Sequence, residues 1–164
     1  MFQSNSDIEN ATPRASPSAD KTDDRPRVLV AEDDDAMRKF LVRVLCADGY
    51  AAVECRDGID VYESLGAFIV RKAALNVDVI ISDIRMPGLT GLEILEDLHD
   101  LRGFPPVILI TAFGDAGIHA RARKAGAAAV FDKPFAIDEL LVKLREIAPR
   151  GPSQRKPASG RPPS

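Results

Sequence analysis

A short apolar run, an acidic turn and the start of a helical pattern follow one another in Val28-Leu-Val-Ala-Glu-Asp-Asp-Asp-Ala-Met-Arg38. The run is continuous rather than alternating, which is typical of a parallel strand buried on both faces. After the acidic turn, apolar residues recur at helical spacing, at Met37, Phe40, Leu41, Val44 and Leu45. This stretch therefore predicts a buried strand followed directly by a helix with one buried face.

The same alternation of apolar run and helical period continues to residue 148. Further runs, mostly of Val, Ile and Ala, occupy 51–54, 77–82, 107–110 and 128–131. A helical period follows each run, and the weakest is at 115–125, which is rich in alanine. Five strands alternating with five helices predict an α/β fold with a doubly wound, five-stranded parallel sheet.

The 164-residue chain is long enough for one domain, and its two ends differ in composition from its middle. Residues 1–26 and 149–164 are rich in Pro, Ser and charged residues. We expect both segments to be disordered, the second as a basic tail, around a folded domain at 27–148.

Composition also excludes several classes of protein. The formal net charge of −3 argues against a chain whose main task is to coat nucleic acid. No apolar run has the length of a membrane span, and the first residues lack the pattern of a signal peptide. The two cysteines provide neither a disulfide framework nor a zinc site. We therefore expect a cytoplasmic protein that contacts neither membrane nor nucleic acid directly.

Polar side chains stand at the carboxyl ends of four predicted strands. The first strand runs into Glu32 and Asp33, the third ends at Asp83, and the fourth and fifth end at Thr111 and Lys133. The carboxyl ends of parallel strands meet at one edge of the sheet, and open α/β sheets bind ligands at that edge. We therefore expect these five residues to converge on one site.

The chemistry of this site follows from the crowding of its carboxylates. Glu32, Asp33 and Asp83 repel one another unless a cation neutralises them. Their hard oxygens suit Mg²⁺, which accepts one or two protein carboxylates together with water and phosphate oxygens. With the hydroxyl of Thr111 and the ammonium of Lys133 nearby, the site is suited to a phosphoryl group that Asp83 attacks.

Four segments of the chain resemble the receiver domain of two-component response regulators. They are the stretch 28–38 quoted above, Val79-Ile-Ile-Ser-Asp-Ile-Arg-Met-Pro-Gly88 with Gly91, Ile110-Thr-Ala-Phe-Gly-Asp115, and Phe131-Asp-Lys-Pro-Phe135. Their order and spacing match the family across residues 27–148. The resemblance implies a flavodoxin-like fold with strand order 2-1-3-4-5. Because the segment after Ala148 is too short for an output domain, we expect a stand-alone signalling module.

The resemblance also implies a role for each matched residue. Asp83 would be the phosphoacceptor, and its phosphodonor would be a histidine kinase or a histidine phosphotransfer protein. Asp33 would ligate Mg²⁺ directly and Glu32 mainly through water. The carboxylate of Asp83 and the backbone carbonyl of Arg85 would complete the protein ligands.

Two further residues of the resemblance would act on the phosphoryl group itself. Thr111 would swing toward it, and Lys133 would pair with it. A cis peptide bond before Pro134 is also implied, since cis bonds are nearly confined to X-Pro. Such a bond would aim the lysine over the site.

The chain departs from the commonest receiver pattern at Val130, three residues before the lysine, where many receivers have Tyr or Phe. The usual coupling of the threonine to an aromatic side chain is therefore in question, although Phe131 is adjacent. Phe113 stands two residues after the threonine and Arg85 two residues after the phosphoacceptor. The resemblance implies that both positions border the path of the attacking water. We hypothesise that the ring of Phe113 shields the acyl phosphate and slows its hydrolysis.

Other polar residues have structural interpretations. Asp34 and Asp35 are expected to cap the first helix, because acidic residues favour helix N-termini. His99 and His119 fall in predicted helices outside the motifs, and we expect both to be exposed to solvent.

Two other classes of function compete with the signalling module. A haloacid-dehalogenase-type phosphatase would use Asp33 as its nucleophile with Asp35 in Asp-x-Asp spacing, but it needs a later acidic pair and leaves Asp83 without a task. A flavodoxin-like cofactor binder needs a phosphate cradle where this chain has four consecutive acids, at 32–35. For the signalling module, output would pass by protein contact or phosphoryl relay, and the downstream partner and oligomeric state stay open.

Overall fold

The computed structural model describes residues 24–71 and 76–150, in which strands and helices alternate. The strands are β1 (Arg27–Ala31), β2 (Ala51–Cys55), β3 (Val79–Asp83), β4 (Val107–Thr111) and β5 (Ala129–Asp132). The helices are α1 (Asp35–Ala47), α2 (Gly58–Arg71), α3 (Gly91–Leu98), α4 (Ala116–Lys124) and α5 (Ile137–Ile147). Within the described residues, no helix combines the length and the hydrophobicity needed to cross a membrane.

The five strands form one parallel sheet in the order β2-β1-β3-β4-β5. This confirms the predicted doubly wound fold. β1 lies inside the sheet, where Leu29 pairs with Val53 on one side and Ile80 on the other. β3 begins at Val79, later than the apolar run suggests. The amide of Asp78, the residue before it, donates to the Arg27 carbonyl of β1 at 2.8 Å.

Two hydrophobic cores lie on opposite faces of the sheet. α1 and α5 cover one face, over a core that includes Val28, Val30 and Leu41. α2, α3 and α4 cover the other face, over a core that includes Leu29 and Leu65. Because helices cover both faces, every residue of β3 and β4 is buried, which explains the unbroken apolar runs.

Polar side chains cap three of the helices next to the sheet edge. Asp34 caps α1 as predicted, and its Oδ1 accepts a hydrogen bond from the amide of Met37 at 2.7 Å. Thr90 and Glu93 form a reciprocal capping box at the start of α3. Asp115 caps α4 by accepting from the amide of Ile118, so the helix with the weakest sequence pattern begins at a defined residue.

The predicted disorder of both ends lies largely outside the described residues, which exclude 1–23 and 151–164. The residues that border those segments contact the domain. The carbonyl of Pro26 accepts from the amide of Ala51 at 2.9 Å. Arg150 donates to the carbonyl of Asp48 at 2.8 Å.

Candidate functional site

Three carboxylates meet at the carboxyl edge of the sheet. Glu32 and Asp33 directly follow β1, Asp83 ends the adjacent β3, and each offers an oxygen within 4.8 Å of the other two. Glu32 is 1% exposed and Asp83 is 6% exposed, whereas Asp33 faces solvent. The structure thus brings together the three acids that the strand ends placed at one edge, in a cluster open on the side of Asp33.

A single ammonium group joins the two buried acids. Nζ of Lys133 lies 2.8 Å from Oε2 of Glu32 and 2.7 Å from Oδ2 of Asp83. The lysine follows β5, and its amide donates to the Thr111 carbonyl at 2.7 Å, which ties the base of the side chain to β4. The Lys133–Pro134 peptide bond is cis, as the resemblance implied.

Burial and pairing shift two pKa values in this cluster. Burial raises the pKa of Glu32, and the nearby charge of Asp83 adds to the rise, against the hydrogen bond from Lys133. Burial alone would lower the pKa of Lys133, but its hydrogen bonds to Asp83 and Glu32 outweigh this and raise it. The lysine therefore stays protonated, yet one ammonium faces three carboxylates, so the site retains a deficit of positive charge.

Local backbone contacts hold the Asp83 carboxylate in place. The amide of Arg85 donates to Oδ1 of Asp83 at 2.8 Å, while Oδ2 accepts from Lys133. A side-chain carbon at Gly91 would overlap the carbonyl oxygen of Asp83 and the hydroxyl of Ser82. A glycine at this position therefore lets α3 begin directly against the end of β3. Ligation of a metal ion by the Arg85 backbone carbonyl stays a prediction.

Thr111 ends β4, the strand next to Asp83, and is fully buried. Its Oγ1 accepts a hydrogen bond from the amide of Phe113 at 3.2 Å, so the hydroxyl is engaged with the β4–α4 loop. The ring of Phe113 is 64% exposed, and the Arg85 guanidinium stacks 4.6 Å from its centroid. The two residues thus connect the loops that follow β3 and β4.

Val130, at the position where many receivers have Tyr or Phe, and its neighbour Phe131 pack on opposite faces of the sheet. Val130 packs against the core under α4, whereas Phe131 packs against the core under α1 and α5. Phe131 contacts Phe135 there, with ring centroids 5.8 Å apart. Phe131 therefore does not replace an aromatic residue on the α4 side.

The structure also corrects one expectation and adds one contact that the sequence did not suggest. His119 was expected to be exposed to solvent, but its side chain is only 25% exposed and its Nε2 lies 3.0 Å from both carboxylate oxygens of Asp132. A side-chain carbon at Gly114 would overlap Asp132, so the loop before α4 fits closely against this pair. The partners belong to α4 and β5, and no local pattern connects them.

The donor set of this edge fits a hard divalent cation. It consists of carboxylate oxygens, two of them on buried residues, and one member of the cluster is open to solvent. Mg²⁺ prefers oxygen ligands and keeps several waters, which suits a cluster that is open on one side. The residues present therefore match the magnesium site that the sequence predicts.

Comparison with known proteins gives the same family over most of the chain. The family model for the response regulator receiver domain matches residues 28–145. The transcriptional regulatory protein FixJ of Azorhizobium caulinodans is 32% identical over 134 residues, which cover 82% of this chain and 60% of that protein. The DNA-binding transcriptional regulator NtrC of Escherichia coli is 33% identical over 130 residues, covering 79% of this chain and 26% of that protein. The chain thus spans only part of the length of the curated relatives that it matches.

Solved structures give the same architecture. A CheY-like response regulator receiver domain protein from Methanospirillum hungatei has a TM-score of 0.64 and 26% identity, covering 74% of this chain and 92% of that one. The chemotaxis protein CheY4 of Vibrio cholerae has a TM-score of 0.63 and 26% identity, covering 75% of this chain and 98% of that one.

Proposed function

The chain belongs to the response regulator receiver domain family of two-component signalling modules, and from that premise we propose that it accepts a phosphoryl group on Asp83. The donor would be the phosphohistidine of a histidine kinase or of a histidine phosphotransfer protein in the cytoplasm. One observation carries the proposal: the Asp83 carboxylate is hydrogen-bonded to Lys133 and lies beside two further acids at the carboxyl edge of the sheet. This arrangement supports the role of Asp83 as a nucleophile next to a cation site.

In the proposed reaction, an oxygen of Asp83 forms a bond to phosphorus while the bond from phosphorus to the donor imidazole nitrogen breaks. Glu32, Asp33 and Asp83, with the Arg85 carbonyl, would hold Mg²⁺. The bound ion supplies positive charge that stabilises the phosphoryl oxygens. Lys133, already hydrogen-bonded to Asp83, would exchange a carboxylate oxygen for a phosphoryl oxygen.

We propose that Thr111 transmits the change to the surface. If its hydroxyl turns to a phosphoryl oxygen, the amide of Phe113 loses the acceptor that it has in this structure. The β4–α4 loop would then shift relative to α4, as expected of a two-state switch. With Val130 on the α4 side of β5, the rearrangement would pass through this loop rather than through an aromatic side chain.

Output would pass from the phosphorylated domain to a protein that it contacts, or through transfer of the phosphoryl group onward. FixJ and NtrC are named as transcriptional regulators. By analogy, the domain would also be able to control a DNA-binding segment of a longer protein. Pull-downs with and without beryllofluoride, which mimics the phosphoryl group, would separate these routes by the partner retained in only one state.

The test of phosphoryl acceptance is incubation with a small acyl phosphate and MgCl₂, followed by intact-mass measurement. We expect one phosphoryl group per wild-type chain and none on Asp83→Asn. The exposed Asp100→Asn variant, a matched control, should label like the wild type. Labelling that persists in Asp83→Asn would refute the proposal. Steady turnover of phosphomonoesters by Asp83→Asn would also refute it, and would favour the phosphatase alternative with Asp33 as the nucleophile.

A further inference from the structure

Arg38 is a buried arginine next to the acidic cluster. It lies in α1, on the stripe that also carries Leu41 and Leu45, and is only 5% exposed. Arginine is almost never fully buried unless it is paired. The buried guanidinium of Arg38 is therefore expected to hydrogen-bond to neighbouring groups and fix their positions.

The guanidinium of Arg38 connects three segments of the chain. Its Nη1 donates to the backbone carbonyl of Glu32 at 2.9 Å, inside the protein. Its Nε donates to Oε2 of Glu54 in β2 at 3.2 Å, and its Nη2 bonds the carboxylate of Asp35 in α1. The planar fork of arginine is suited to such simultaneous contacts.

The bond to the Glu32 carbonyl bears directly on Asp33. The carbonyl of Glu32 and the amide of Asp33 belong to one rigid peptide plane, so a donor on the carbonyl fixes the plane from which the Asp33 side chain projects. The neighbouring backbone is also held, because the Glu32 amide donates to the Cys55 carbonyl at 3.1 Å. The Asp34 amide in turn donates to Oε1 of Glu32 at 3.2 Å.

We propose that Arg38 is a positioning residue for the cation site. It holds the Glu32–Asp33 peptide so that the Asp33 carboxylate lies beside those of Glu32 and Asp83. The inference rests on the proposed function, since it concerns the magnesium that phosphoryl acceptance would use.

Positioning and simple electrostatics predict opposite results when Arg38 is replaced. As a positive charge close to the cluster, Arg38 repels a divalent cation, so its removal would strengthen Mg²⁺ binding. As the donor that orients the peptide, it favours binding. Its removal leaves the buried Glu32 carbonyl without a partner, and the peptide turns to find another.

The test compares Arg38→Met and Arg38→Lys with the wild type in titrations with MgCl₂ followed by amide NMR shifts. Circular dichroism establishes a temperature at which each variant is folded. We expect Mg²⁺ to bind both variants about tenfold more weakly, the size seen when groups that orient metal ligands are removed. Arg38→Lys keeps the charge but cannot reach three acceptors with one ammonium. It therefore carries the test if Arg38→Met fails to fold.

Lys39→Met provides the control for charge. Lys39 is the next residue of the same helix and pairs with Asp35 at 2.6 Å, but both side chains of this pair are exposed to solvent. We expect its Mg²⁺ affinity to be unchanged or slightly higher. Wild-type Mg²⁺ affinity in folded Arg38→Lys, or tighter Mg²⁺ binding in Arg38→Met, would overturn the positioning role of Arg38 and leave the proposed function unaffected. A wild-type protein that shows no Mg²⁺-dependent shifts would contradict the proposed function as well.

Discussion

Replacement of Lys133 by methionine should destabilise the protein at neutral pH, because it leaves Glu32 and Asp83 buried beside each other without their shared ammonium. Two like charges no more than 4.8 Å apart repel by at least about 3.5 kcal/mol at an effective dielectric constant near 20. The alternative for the protein is to protonate one carboxyl group. For a group with an ordinary pKa of 4.5, this costs about 3.4 kcal/mol at pH 7. Because Lys133 is partly exposed, water screens part of this energy, and we expect a loss of about 2–3 kcal/mol.

The loss should depend on pH in a defined direction. The pKa of Glu32 is raised in the folded protein, mainly by burial, so its carboxyl group takes up a proton more readily there than in the unfolded chain. Stability from this group therefore falls as the pH rises from 4.5 through the folded pKa. Removal of Lys133 raises that pKa further. At pH 5 the cost of protonation is small, and the difference between variant and wild type should shrink to about 1 kcal/mol.

The raised pKa of Lys133 acts in the opposite window. Its stabilising effect is fully present below its ordinary pKa of 10.5 and is lost only as the pH rises through the higher folded value. Lys133 of the wild type therefore stays protonated at both pH 5 and pH 7. A difference in stability between these two pH values then reports the protonation of carboxyl groups and not of the lysine.

The assay is urea unfolding followed by circular dichroism, at pH 5 and pH 7, with EDTA or with saturating MgCl₂. We expect Mg²⁺ to restore most of the stability of Lys133→Met at pH 7, since the ion supplies positive charge at the same carboxylates. Lys143→Met is the matched control, because that lysine makes a surface pair with Glu146 at 3.2 Å and should change stability by less than about 0.5 kcal/mol. An equal loss at both pH values, unaffected by Mg²⁺, would refute the charge-balance argument.

Three further predictions follow from single positions. Phe113→Ala should release phosphate about two- to fivefold faster than the wild type, because the exposed Phe113 ring stacks with the Arg85 guanidinium over the loops of the site. Loss of the ³²P label from the variant at or below the wild-type rate would contradict the shielding hypothesis. Gly91→Ala should lower the free energy of unfolding by about 2 kcal/mol, because its new methyl group would overlap the end of β3. Gly66→Ala in α2 has open space around the new methyl group and should raise the free energy of unfolding by about 0.5–1 kcal/mol. Urea unfolding in which Gly66→Ala is the less stable of the two variants would contradict both expectations. A thiol reagent should modify the exposed Cys46 in the native protein but reach Cys55 only on unfolding, since Cys55 is buried and burial raises its pKa to about 11. Two fast-reacting thiols in the native protein would contradict this prediction.

The fold was predictable from the sequence because helices cover both faces of the sheet. That arrangement leaves continuous apolar runs at β3 and β4, and these runs distinguish a parallel sheet from an antiparallel one. The edge strands carry a weaker signal, since β2 is only partly buried. The start of β3 was predicted too early, because the apolar run includes Val77, which precedes the strand.

Residues of the site were predictable where a strand end places them. Glu32, Asp83 and Lys133 lie far apart in sequence, yet parallel topology brings their strand ends to one edge, and the structure joins them directly. Contacts that depend on three-dimensional packing were not predictable. The pairing of His119 with Asp132 is one example, because it joins an exposed helix to a strand end.

Arg38 shows what signal a sequence reader could have used. It lies three residues before Leu41 and seven before Leu45, so it occupies the buried stripe of an amphipathic helix. A charged residue on such a stripe needs a partner inside the protein. The partner is a backbone carbonyl, and a carbonyl carries no mark in the sequence.

We propose that Asp83 accepts the phosphoryl group beside a divalent ion held by the neighbouring acids. A crystal grown with MnCl₂ and beryllofluoride would test this, because the anomalous signal of manganese locates the ion independently of the protein. We expect beryllofluoride on the Asp83 carboxylate and one manganese ion in contact with the carboxylates of Asp33 and Asp83. Beryllofluoride bound to Asp33, or a manganese peak away from both residues, would contradict it.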